Sequence, residues 1–393
     1  QKQATRKMID DDDTEAAHTH SSAHDNELST KDALLHPRRR DALDCSDVPV
    51  LNYHRYSLIR DHQNCRGRNG GMLVVPLVAL LVWDVFWELL FLYAPGEGLR
   101  DTVSAWGQLI DPLLVPISFL MVFRLTRAAI RFWDSRAAMG KIIQTCRDTI
   151  STASVALTSP RRLAKTGRME NVEFEKLYSI HDELLDKYAR WLCAFTIMVK
   201  NFLRPEKRKG WDDDELFNNR RKEIGPLLSD SEAQRALTAN HGVLVVLDRL
   251  REIAHDICFV APLGDGGMHQ MGQAALYKQL NTHIDSLSGA FGAMERIRGT
   301  PLPFVYVSHL RTFLLLYLLL FNMHGMASFG WTALFALFAA NWALLAIEAA
   351  SVECERPFGW SPNHLPMGKF CWVIGENIAQ TIDEVKQQSG VDS

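Results

Sequence analysis

The sequence has 393 residues, 47% of them apolar and 23% charged, with a net charge of −3. That balance excludes a strongly basic nucleic-acid binder as the default reading, and no nucleic-acid partner is expected. Seven cysteines are scattered without a CxxC pair, which excludes a zinc ribbon, a thioredoxin-type redox site and a disulfide scaffold. The length allows two or three domains.

In chain order, residues 1–44 have no apolar period. They carry an acidic run, Asp10 to Asp13, and a basic run, Arg38 to Arg40. Such composition predicts a disordered tail, and His18, His20 and His24 read as part of it rather than as metal ligands. The sequence starts with Gln1, so a processed form or a fragment is expected.

Residues 72–94 are almost continuously apolar and long enough to cross a bilayer as one helix. Asp84 and Glu88 interrupt them, four apart and so on one helix face. Charges at that depth should face protein or water. They read either as helix packing or as a polar path. A second block, residues 112–123, extends upstream to Thr102, and Pro116 within it predicts a kink. Late in the chain, 312–323 and 325–347 form two further apolar blocks, with a hairpin link expected around His324. Four membrane helices are expected, as two pairs. Basic residues flank the first, second and third on one side (Arg60, Arg66, Arg127, Arg131, Arg296, Arg311), whereas the 95–111 loop offers only Arg100. The excess predicts both termini and the middle segment on the cytosolic or equivalent side.

The middle segment is polar with helical periodicity. Leu184, Leu185, Tyr188, Trp191, Leu192 and Phe195 form one apolar stripe, and Val243, Val246, Leu247, Leu250 and Ile253 another. Residues 191–199 are apolar enough to pack on the membrane or on a partner subunit. Ser159-Pro160 and Gly264 to Gly267 read as breaks. Asp212 to Glu215 read as a solvated loop, lacking the Gly and terminal Glu of a calcium-binding EF-hand. No P-loop, GxSxG, HExxH or dinucleotide fingerprint occurs. No enzyme, cofactor or metal is expected.

Three stretches together resemble the bestrophin family of channels: VPISFLMVFRLTRAAIRFWDSRAAMG (115–140), ERIRGTPLPFVYVSHLRTF (295–313) and IEAASVECERPFGWSPNHLP (347–366). The resemblance implies an all-α membrane protein with four transmembrane helices per subunit continuing into a cytosolic helical bundle, and a homopentamer around a central pore. It implies conduction of chloride or other small anions, bicarbonate among them, across a lipid bilayer. Val115, Phe119 and Phe123 match the family's apolar neck. Their i, i+4, i+8 spacing independently puts them on one helix face, where five copies would stack apolar rings able to gate by dewetting. Leu302, between Pro301 and Pro303, matches a second constriction at the cytosolic exit, with Thr300 or Phe304 as the neighbouring choices. Arg124, directly after the neck, is read as the anion-selectivity residue, five copies making a ring of positive charge; the alternative is a group paired with an acid and turned away from the pore.

The sequence departs from animal bestrophins after Pro357-Phe358-Gly359. Trp360, Ser361, Pro362, Asn363 and His364 stand where those carry the acidic run of a calcium clasp. Glu353 and Glu355 precede the motif and read as ion-pair partners. The wording is closer to bacterial, plant or algal members, which fits a thylakoid or other organelle membrane. The expected organisation is 1–44 tail, 45–140 first helix pair with the neck, 141–300 cytosolic helices, 301–350 second pair, 351–382 post-membrane motif and packing segment, and 383–393 tail. The main reading is a gated anion channel. The alternatives are a secondary transporter of a small anion, using Asp84 and Glu88 as coupling groups, and a non-conducting scaffold.

Overall fold

The structure, a computed structural model, describes residues 30–35, 69–93, 97–163, 171–204, 212–260, 270–360 and 363–388. Among these residues every regular element is helical and no strand occurs. In chain order they are α1 (Thr30–Leu34), α2 (Asn69–Tyr93), α3 (Glu97–Ala105), α4 (Gly107–Ile110), α5 (Leu114–Leu163), α6 (Asn171–Leu203), α7 (Asp213–Ile224), α8 (Asp230–Thr238), α9 (Gly242–His255), α10 (Gln270–Gly299), α11 (Phe304–Phe329), α12 (Leu334–Glu355) and α13 (Met367–Gln388). The chain divides into two compact units. One comprises residues 49–136 and 296–365, the other residues 1–48, 137–295 and 366–393.

The first unit holds the membrane blocks. Three stretches, Leu73–Tyr93, Gly98–Leu157 and Phe304–Glu355, are long and apolar enough to cross a membrane, and the third contains both α11 and α12. Helix α2 shows the outside-in pattern of a lipid-facing element. Val74, Val78, Val82, Phe86 and Leu89 point outward, while Asp84 and Glu88 lie on the buried face with Leu77 and Leu80. In hydrocarbon, polar groups must be satisfied inside the protein. Leu77, Leu80, Ile117, Met121, Leu314, Leu318 and Leu345 share one core cluster.

Helices α11 and α12 form a hairpin, but its corner is not at His324. Helix α11 runs on through His324 to Phe329, and the chain turns at the 3₁₀ segment Gly330–Ala333. Gly330 adopts φ +61, a left-handed conformation open to glycine at little cost. Side chains from elsewhere fix the corner. Arg100 donates to the Ala327 carbonyl at 2.9 Å, capping the last turn of α11, and lies 3.8 Å from Glu88. Any Cβ on Gly330 would sit 3.0 Å from Arg100 Nη2 and 3.1 Å from Glu88 Oε1. His324 instead fills the space over Gly107, where a Cβ would meet its ring at 2.5 Å.

The kink expected at Pro116 is also absent. The break falls earlier, at the 3₁₀ turn Asp111–Leu113, and α5 begins at Leu114. Pro116 therefore sits in the first turn of α5, where its missing N–H costs nothing.

The second unit is built on α6, against which α1, α7, α9 and α13 pack. Residues 191–199 are buried inside this unit rather than presented to a membrane or a partner. The helices packed on α6 come from distant parts of the chain. The stripe Val243, Val246, Leu247, Leu250 and Ile253 is buried in α9 as its period requires. Lys200 and Glu223 form a buried ion pair. Nearby, burial pushes the Arg220 guanidinium down from its ordinary range while Glu223 pulls it up.

Four local expectations need correction. Asp212 caps α7, its Oδ1 accepting from the Glu215 amide at 2.7 Å, so the acidic run is a helix start. Helix α5 continues past Pro160 to Leu163. Residues 30–34 are helical, with Ala33 and Leu34 fully buried and Lys31 2.8 Å from Asp383. Helix α13 extends to Gln388, beyond the expected start of the tail at 383. His18, His20, His24 and Gly264 to Gly267 lie outside the described residues.

Candidate functional site

Helix α5 has two faces within the membrane unit. Ile117, Met121, Arg124 and Ala128 recur at helical spacing and are buried. Val115, Phe119 and Phe123 lie on the other side and are 59%, 61% and 58% exposed. The three predicted neck residues are therefore brought together as an uncovered apolar row, extended by Val122. A row of this size left bare on a single chain marks a lipid, partner or pore surface.

Arg124 belongs to the opposite face, and its predicted role as an exposed ring of charge is corrected. Its side chain is 0% exposed. Its Nη2 donates to Glu355 Oε2 at 2.8 Å and its Nε to Glu348 Oε2 at 3.4 Å. A buried guanidinium requires such partners, and two carboxylates neutralise its charge. Glu348 also accepts from Arg311 Nε at 2.7 Å. The network thus balances two guanidinium groups against two carboxylates.

The same network reaches the other predicted constriction. Leu302 lies half-buried in the link between α10 and α11. Its backbone N–H donates to Glu355 Oε1 at 3.4 Å. On the other side of the link, Arg131 donates through Nη1 to the Thr300 carbonyl at 2.8 Å and through Nη2 to the Ile297 carbonyl. The Ile297 carbonyl belongs to the last turn of α10, where carbonyls lack intrahelical donors, and Thr300 directly follows the helix. One helix, α5, therefore carries the apolar row on one face. From Arg124 and Arg131 it also anchors both ends of the Leu302 link.

The Pro357-Phe358-Gly359 motif folds as a tight turn. The Leu365 amide donates to the Pro357 carbonyl at 2.8 Å, and Phe358 and Leu365 are buried. Glu353 pairs with His364 at 3.3 Å, and Glu355 with Arg124. Glu355 is an ion-pair partner of Arg124, as the sequence indicated, while Glu353 lies against the His364 ring.

Sequence reasoning missed Glu348, Arg311, and the parts played by Arg131 and Glu355 in holding the Leu302 link. One signal was available: Glu348 and Glu355 are seven apart, two turns along one face of a helix.

The sequence pattern of the family described as Bacterial/Fungal Bestrophin protein matches residues 94–380. The chain belongs to the bestrophin family. It is 27% identical over 268 residues to a voltage-dependent anion channel-forming protein of Nostoc sp., covering 67% of this chain and 74% of that protein. A protein of the same description from Synechocystis sp. is 25% identical over 289 residues, covering 71% and 81%. Among known structures, a bacterial bestrophin homologue from Klebsiella pneumoniae superposes with a TM-score of 0.62 at 16% identity, covering 79% of this chain and 99% of that one. That likeness establishes the bestrophin fold.

Proposed function

We propose that this bestrophin is an anion channel, a homopentamer whose pore is narrowed by rings of Val115, Phe119 and Phe123. The observation that carries the reading is the bare apolar row on α5, opposite a face fully engaged with the protein core. Lipid alone would need only scattered apolar residues. A row at i, i+4 and i+8 makes stacked rings once five copies surround an axis, and such rings gate by dewetting. The names of the Nostoc and Synechocystis relatives support anion conduction. In this reading α2, the α5 start, α11 and α12 are the four spans, both termini face the cytosolic side, and chloride and bicarbonate are the candidate ions. Leu302 forms the second narrowing, held in place by Glu355 and Arg131.

Arg124 is not carried into the reading of selectivity, because Glu348 and Glu355 neutralise it. Arg127 replaces it. This residue is exposed, one turn beyond Phe123, and five copies would attract anions below the neck.

Planar-bilayer recording of Phe119→Ala and Phe123→Ala tests the neck. Smaller side chains should raise open probability and admit larger anions. Unchanged gating and permeability in both variants, from protein shown to be pentameric, would contradict the assignment. Arg127→Gln should lower the anion-to-cation permeability ratio while leaving gating unaltered.

A further inference from the structure

Away from the α5 row, the membrane unit buries a second polar group that the channel reading does not use. Asp84 on α2 is 2% exposed, Asn322 on α11 is 0% and Asn341 on α12 is 2%. The three helices pack on one another, and the apolar residues around these positions fix their level. Leu80, Leu318 and Leu345 belong to one core cluster. Met326 and Leu337 belong to another, with Phe91 packed against it. Asp84 follows Leu80 by four residues and precedes Phe91 by seven. Asn322 lies four residues from both Leu318 and Met326, and Asn341 four from both Leu337 and Leu345. Residues four apart stack on one helix face. Asp84, Asn322 and Asn341 thus form one polar layer between two apolar layers.

The layer does not satisfy itself. Asn322 approaches the Asp84 carboxyl. Yet Asp84 Oδ1, Asn322 Oδ1 and Nδ2, and Asn341 Oδ1 are buried without a hydrogen-bond partner among the described residues. No basic side chain pairs with Asp84 there. Arg100 is committed to Glu88 and to the end of α11. An unpaired carboxylate at membrane depth is among the costliest groups a protein can bury. Three unused oxygens at the level of a single negative charge call for a hard cation. One carboxylate with neutral amide oxygens balances a monovalent ion, whereas Ca²⁺ and Mg²⁺ demand more charge and more oxygens.

We propose that Asp84, Asn322 and Asn341 bind a sodium ion within the membrane unit, the Asp84 carboxylate supplying the counter-charge and the asparagine amide oxygens the neutral ligands. The bound ion ties α2 to the α11–α12 hairpin. The site is independent of the pore reading, and its test reads binding rather than current.

The test uses the full chain in lipid nanodiscs. Its thermal midpoint is measured in NaCl, KCl and choline chloride at equal ionic strength and over a range of pH, and equilibrium binding of ²²Na⁺ is measured alongside. Saturating Na⁺ should raise the midpoint by about 2–4 °C over choline, with one ²²Na⁺ bound per chain. Asp84→Asn keeps the shape, removes the charge and should abolish both. Should that variant not fold, Asn341→Leu decides. It leaves the carboxylate and removes one ligand, and should raise the Na⁺ concentration for half effect about tenfold. Equal midpoints in Na⁺ and choline would overturn the proposal. So would a midpoint that follows pH alone, which assigns the charge to a proton, and so would Na⁺ binding that survives in Asp84→Asn.

Discussion

Arg124 and Asp84 are both buried charged residues in the same membrane unit, yet they are handled in opposite ways. Arg124 is clasped by two glutamates, one of which also holds Arg311 and the other the Leu302 backbone. Its neighbourhood is neutral without help from outside the chain. Asp84 has the uncharged Asn322 amide beside it, and its layer retains unused polar atoms. The difference teaches that a buried charge compensated within the chain is architecture, whereas one left uncompensated points to a ligand. The Arg124 network ties α5 and α12 to the Leu302 link.

The largest effect should come from breaking the compensated side. Arg124→Met strands Glu355 and leaves Glu348 to Arg311 alone, and should destabilise the protein by about 3–5 kcal/mol in reversible denaturation. Adding Glu348→Gln and Glu355→Gln should recover most of that loss. If the single variant is as stable as the parent, the network does not carry the charge balance assigned to it. On the uncompensated side the sign reverses. In sodium-free buffer Asp84→Asn should be neutral or stabilising by about 1–3 kcal/mol, read as a raised midpoint. A marked loss would show that the carboxylate is already compensated. A smaller effect tests the corner where Arg100 meets Glu88. Gly330→Ala forces a side chain into a left-handed conformation and should cost about 1–2 kcal/mol, read as a lowered thermal midpoint. The smallest touches no charge. Burial raises the Cys258 thiol to about 11. Raising the pKa reduces the thiolate at any lower pH, so native Cys258 should alkylate at pH 8 more than about a hundredfold slower than in unfolded chain. The rate should rise about tenfold per pH unit and level off only above about pH 11. Equal native and unfolded rates at pH 8 would contradict its burial.

Legibility in the sequence followed the range of the forces involved. Local pattern sufficed for the apolar blocks, because a long apolar run can be little other than a membrane helix. It sufficed for the α9 stripe and for the placement of Val115, Phe119 and Phe123 on one face. It failed where distant residues decide. The link read at His324 moved to Gly330 because Arg100 and Glu88, far back in the chain, build the corner. The apolar run at 191–199 looked like an outward surface because nothing local reveals that α1, α9 and α13 close over α6. For Arg124 the local pattern favours a ring of charge at the pore, and the acids that turn it inward lie 224 and 231 residues away. Asn322 and Asn341 drew no notice, since an asparagine in an apolar run shows its importance only when a carboxylate is found at the same level.

The most direct test of the channel reading is the reversal potential of the purified, reconstituted protein across a potassium chloride gradient. The account predicts reversal near the chloride equilibrium potential, moving toward zero in Arg127→Gln. Reversal near the potassium equilibrium potential, or no current from verified pentamers, would contradict it.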